Sequence, residues 1–204
     1  MLLSQSSSSS DYDYVVVNPA AATEVGEEVF FPTGEIDDDT LVIIPDANGQ
    51  LPFGLSPDQI AALHAELEPG ETLQIDAQVA MEAGAPPVTS IAAIGAGYTA
   101  TSSAWGPVSQ ATTAFIAGPG GRAHYKFDVH TGFGQVNVGN ALGYYRGYNG
   151  SQFGVWQKWY HQGTANENSI GGLSNGTSWY NVSAYPAFQG QCAITQVCSG
   201  KWWI

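Results

Sequence analysis

The chain has 204 residues, 44% of them apolar, and a mean hydropathy of −0.08, which suits one globular domain with an appendage or two small ones. No run approaches the ~18 apolar residues of a membrane span, and Met1-Leu2-Leu3 passes straight into Ser4-Gln5 and five serines, without the regions of a secretory leader. A net charge of −13 with only five cations excludes the basic stripe that a nucleic-acid surface needs.

The charge is divided along the chain. All five cations, Arg122, Lys126, Arg146, Lys158 and Lys201, follow residue 121, whereas of 18 acids only Asp128 and Glu167 lie beyond Glu82. All six tryptophans, from Trp105 to Trp203, fall in the second part. Large aromatics dominate the buried area of a small β domain, so the main core is expected there. Three regions follow: a disordered Ser-rich tail at 1–14, an acidic α+β segment at 15–87, and an aromatic-rich β domain at 88–204.

In chain order, Val15-Val16-Val17 and Val29-Phe30-Phe31 are short strand candidates, and Thr40 to Ile44 reads as a buried strand that ends at Pro45. One helix is expected from Ser56 to Leu67. Ser56 can cap it, Pro57 suits the first turn, Gln59 completes a capping box, and Leu55 with Ile60 forms a staple. Thr72 to Ala80 alternates through Leu73, Ile75, Ala77 and Val79, as a strand does. Ala83-Gly84-Ala85-Pro86-Pro87 is the clearest boundary.

Beyond it, Tyr125, Phe127 and Val129 alternate with polar neighbours, and Thr131 to Gly134 reads as a turn back into Val136 and Val138. Further strands are expected at 111–117, 135–145, 152–160, 178–185, 193–197 and 201–204. Short strands at this spacing predict an antiparallel β-sandwich or barrel in the second part, and a mainly β protein as a whole.

Chemistry-bearing motifs are sparse. Gly172-Leu173-Ser174-Asn175-Gly176 has the nucleophile-elbow pattern but lacks the preceding strand and following helix, so a turn is expected. His124 and His130 share a strand face but lie about 20 Å apart, too far for one ion. Asp128 and Glu167, the only late carboxylates, have no supporting flanks as a glycosidase pair. Asp37-Asp38-Asp39 and Asp46 do not follow a calcium-loop spacing. No cofactor and no metal site is expected, and the scarcity of acids, bases and nucleophiles argues against an enzyme. Asn149, Asn175 and Asn181 head glycosylation sequons. Cys192 and Cys198 would be about 20 Å apart on a straight strand, so either the segment closes into a loop and they pair, or both thiols stay free.

The aromatic content is the strongest signal. Adjacent strand residues point oppositely, so Tyr144-Tyr145, Trp156 to Tyr160 and Trp202-Trp203 cannot all be buried on one face. Tyr144, Tyr145, Tyr148, Trp156, Trp159, Tyr160, Trp202 and Trp203 are therefore candidate ligand-binding residues, unless the acidic segment covers them. The expected function is a non-enzymatic extracellular or particle-surface β-sandwich that binds a glycan or a protein surface. The alternatives are an assembly subunit acting by self-association in a surface layer, filament or virion, and a bacteriocin-like toxin released from an acidic precursor.

Overall fold

Leu41-Val42-Ile43 is apolar at every position, so a strand made of it must be covered on both faces. The computed structural model describes residues 13–86, 96–102, 104–130, 136–166, 169–172, 176–193 and 197–204, and it covers that strand twice. Leu41–Ile43 lies in a five-stranded sheet ordered Tyr14–Val16, Leu41–Ile43, Val182–Ala184, Ala114–Ala117, Thr72–Ile75. Tyr14, Leu41, Ile43, Ile75 and Ile116 face a helical layer with Ile60 and Ala61, while Val15, Val42, Phe115 and Ala117 face the main aromatic core. The first three strands run parallel. Parallel neighbours need a long connection, and residues 18–40 supply it by crossing into a second sheet.

The helical layer begins as its sequence implies. α1 spans Pro57–Ala65, with Ser56 Oγ accepting from Gln59 N and Gln59 Oε1 accepting from Ser56 N. Leu55 and Ile60 are both buried in the same cluster. The expected strand 72–80, however, is a strand only over Thr72–Ile75. Asp76 then accepts from Gln78 N and Val79 N and opens a short helix, α2, at Ala77–Glu82. An Asp at an N-cap satisfies amides that would otherwise be orphaned, and this local bond overrides the alternating pattern.

The second sheet has six strands, ordered Thr23–Val25, Glu28–Pro32, Phe153–Asn166, Val136–Tyr148, Ala187–Cys192, Ser109–Gln110. Its centre is a long hairpin of Val136–Tyr148 with Phe153–Asn166. Asn149 Oδ1 closes the turn by accepting from Ser151 N and Gln152 N, and the register shifts at Gly139/Asn140 where Gln162 is the extra residue. The acidic part contributes strands to both sheets, Glu28–Pro32 pairing directly with the hairpin from Phe31↔Val155 to Val29↔Gln157. It is built into the sheets rather than laid over them. With strand at 48% and helix at 12%, the chain is mainly β, with antiparallel pairing dominant.

A third, four-stranded sheet, ordered Gly171–Gly172, Lys126–Phe127, Cys198–Trp203, Ala96–Ala100, packs across the hairpin. The expected pairing of 124–130 with 135–138 is corrected here. Lys126 and Phe127 pair with Trp203 and Trp202, and with Gly172 and Gly171. They face the hairpin across the core instead of lying beside it. Gly139 makes this possible: a Cβ there would stand 2.6 Å from the Phe188 ring and 2.7 Å from the Phe127 ring. The proposed turn at 131–134 lies outside the described residues, as does all of 88–95.

Cys192 ends a strand of the six-stranded sheet and Cys198 begins one of the four-stranded sheet. Most of the expected strand 193–197 lies outside the described residues. The two cysteines pair with Cα atoms 6.2 Å apart, within disulfide range. Closing so short a loop stabilises the fold by about 2 kcal/mol through the unfolded chain.

Where the acidic segment meets the hairpin, three polar groups lock it. Arg146 donates to the carbonyl of Asp37 at 2.6 Å and to that of Thr40, and its guanidinium lies 5.6 Å from the Tyr180 ring centre. Asn181, fully buried with φ 45°, donates to the carbonyl of Asp38 at 2.7 Å and accepts from His64 Nε2 at 2.9 Å. The triple-acid loop is held by its backbone, and its carboxylates remain at the surface. Asn181 is thus a latch, and its sequon is inaccessible in the folded chain.

Candidate binding cleft

The eight aromatic candidates do not share one environment. Tyr144 and Trp202 are only 2% and 1% exposed and so leave the set of surface residues. Tyr144 packs against Trp179 at 4.7 Å, and Trp202 stacks on Tyr125 and Phe188 while its Nε1 donates to Ser109 Oγ. Each is the inward member of an adjacent pair, because both faces of a strand cannot turn to the same core. Their neighbours Tyr145 and Trp203 are half-buried.

Tyr145 and Trp156 form a stacked cross-strand pair with ring planes 9° apart. The acidic segment partly covers them. Phe30 lies 4.9 Å from Trp156, and the Tyr145 hydroxyl donates to Glu28 at 2.6 Å. That bond, with Lys158 3.0 Å away, holds the Glu28 carboxyl below its ordinary range despite some desolvation. Tyr160 is half-buried on the same face, its ring against Gly143. Tyr148, with Phe153 5.1 Å away, stands at the hairpin tip, 54% exposed. The candidates therefore do not form one surface.

Trp159 is half-exposed at the mouth of a cavity that the buried Tyr144 also lines. Strand alternation sends Gln157 and Trp159 to the opposite side from Trp156 and Tyr160, where they meet Leu142 and Tyr144 from the partner strand. Phe31 from the acidic part and Tyr185 from the end of Val182–Ala184 complete a cleft of about 350 Å³. Gln157, Gln110 and Asp46 bring polar atoms to it. Burial, with Asp46 nearby, pushes the Tyr185 hydroxyl up to about 12, so it stays protonated and able to donate. Asp46 Oδ1 is occupied by the amides of Asn48 and Gln50, which fixes the carboxylate's position. The arrangement suits an uncharged, hydroxyl-bearing ligand with apolar faces: rings to stack on, amides and a phenol to orient.

Tyr185, Gln110 and Asp46 escape sequence reasoning because they come from three separate strands or turns, and no spacing links them. Only the shared parity of Gln157 and Trp159 is visible in the sequence.

The remaining motifs are placed as follows. His130 Nε2 lies 2.9 Å from Asp128 Oδ2, and Asp128 Oδ1 accepts from Lys201 N at 2.7 Å. His124 is exposed in the link between the two short strands Arg122–Ala123 and Lys126–Phe127, so the expected single strand 124–130 does not form. Among the described residues no three His, Cys, Asp or Glu side chains are grouped to hold a metal ion. Ser174, Asn175 and Glu167 lie outside the described residues. No helix among the described residues is long and apolar enough to cross a membrane. Comparison with known protein families, with curated proteins and with solved structures finds no match for this chain.

Proposed function

We propose that this protein is a non-enzymatic binding domain that takes a saccharide in the Trp159 cleft. One observation carries the reading: two half-exposed rings, Trp159 and Tyr185, flank an apolar floor beside two amides and a carboxylate. Sugars present apolar C–H faces to such rings and hydroxyls to such amides. The acidic part would then be an integral wall of the site, since Phe31 lines it. An extracellular or particle-surface location fits the Cys192–Cys198 bridge, which persists in oxidising compartments.

Trp159→Ala is expected to weaken saccharide binding by more than tenfold, as loss of a central aromatic anchor does. Glycan-array screening followed by titration calorimetry measures this. Unchanged affinity in the variant would remove the cleft from the account.

The exposed Tyr148–Phe153 pair at the hairpin tip favours a second reading, assembly through protein contacts. Sedimentation velocity at high concentration decides it: self-association that disappears in the Tyr148→Ser, Phe153→Ser double variant supports assembly, and a strict monomer excludes it.

A further inference from the structure

Two depressions meet at one ridge. Val108 and Gln110 line the Trp159 cleft on one side and, on the other, a wider depression of about 570 Å³. That second depression is also lined by Lys201, His130, Ser199 and Tyr98. A ligand longer than one sugar can cross Val108, which is 57% exposed, from the first into the second.

The charges on the two sides differ. Arg146 and Lys158 are committed to the acidic part, to the carbonyls of Asp37 and Thr40 and to Glu28. The Lys201 ammonium makes no ion pair or hydrogen bond among the described residues. Asp128, whose backbone N–H meets the Lys201 carbonyl, has its carboxylate already held by His130 Nε2 and by Lys201 N. The opposite end of the run carries Asp46, which would repel an anion. The direction is therefore set: the ligand's uncharged end lies over Trp159 and Tyr185, beside Asp46, and its anionic end reaches Lys201.

We infer that the ligand is an acidic oligosaccharide, its neutral sugar stacked at Trp159 and a uronate carboxylate seated at Lys201 across the Val108 ridge. This rests on the saccharide reading of the Trp159 cleft and names the class of sugar. A cation at one end of a run whose other end carries Asp46 would select for a carboxylate at its own end by a charge-assisted hydrogen bond.

The test is an array of uronate oligosaccharides beside their carboxyl-reduced, neutral counterparts, then calorimetry on the tightest uronate. Wild type is expected to prefer the uronate by about tenfold. Lys201→Gln should bring its affinity down to that of the neutral counterpart, and raising salt should erode the preference in wild type. Trp159→Ala should weaken both ligands. Equal affinity for the two in wild type, or a preference that survives Lys201→Gln, overturns the inference and leaves the cleft reading standing. Retention of no glycan at all overturns both.

Discussion

Replacing Trp179 with alanine is expected to destabilise the fold by about 4 kcal/mol, the range for deleting a fully buried Trp. Trp179 is completely buried where the layers join. Its ring meets Phe115 of the five-stranded sheet at 4.6 Å and Tyr144 of the long hairpin at 4.7 Å, and its Nε1 donates to Thr177 Oγ1 at 3.0 Å. Alanine removes both ring contacts at once and leaves the Thr177 hydroxyl without that donor. Because small domains are stable by only some 5–15 kcal/mol, the variant should unfold at a much lower urea concentration. Trp179→Phe keeps a ring in place and should lose roughly half as much. Urea titrations of the three proteins, followed by circular dichroism, measure the series; a loss under 1 kcal/mol in the alanine variant would show that the layers do not depend on this contact.

Asn181→Ala should cost about 3 kcal/mol, for two separable reasons. Its amide links the carbonyl of Asp38 to His64 in a buried setting, and groups left unpaired there cost about 1–3 kcal/mol. Its φ of 45° is also disfavoured for alanine by about 1 kcal/mol. Asn181→Gly restores the backbone freedom without the bonds, so the difference between the two variants isolates that second term. Equal losses in both would place the whole effect in the hydrogen bonds.

The same junction makes stability depend on pH. Burial holds the His64 imidazole below its ordinary 6.5, although its bonds to Asn181 and to the Ala117 backbone work the other way. The unfolded chain therefore binds the proton more readily than the folded one. This contribution is complete above about pH 6.5 and is lost as pH falls below it. His64→Gln removes the titration, so stability measured at pH 7.5 and pH 5.5 should differ less in that variant. An identical difference in both proteins would assign the acid sensitivity to other groups.

Local features were readable from the residues alone wherever the controlling interaction spans a few positions. Ser56, Pro57 and Gln59 specify the start of α1 because a cap is made within one turn. The all-apolar run of Leu41-Val42-Ile43 announces a strand buried on both faces. The opposed parity of Trp156 and Trp159 guarantees that they face different surroundings. Asp76 shows the limit even at short range, since its capping bonds compete with an alternating pattern that reads as strand.

Tertiary structure decided everything that depends on which strands become neighbours. It brought the acidic strands into the same sheets as the aromatic ones, turned Lys126–Phe127 across the core from the hairpin, and joined Cys192 at the end of one sheet's strand to Cys198 at the start of another's. It withdrew Tyr144 and Trp202 into the core and left Trp159 over a cleft whose other walls come from Phe31, Asp46, Gln110 and Tyr185. Strand pairing is set by contacts between residues far apart in sequence, and no local period encodes a partner. The charge division, sixteen acids before residue 83 and five cations after residue 121, was visible from the start. Its consequence was not: two of those cations tie the acidic part into the sheets, and Lys201 is left facing the groove.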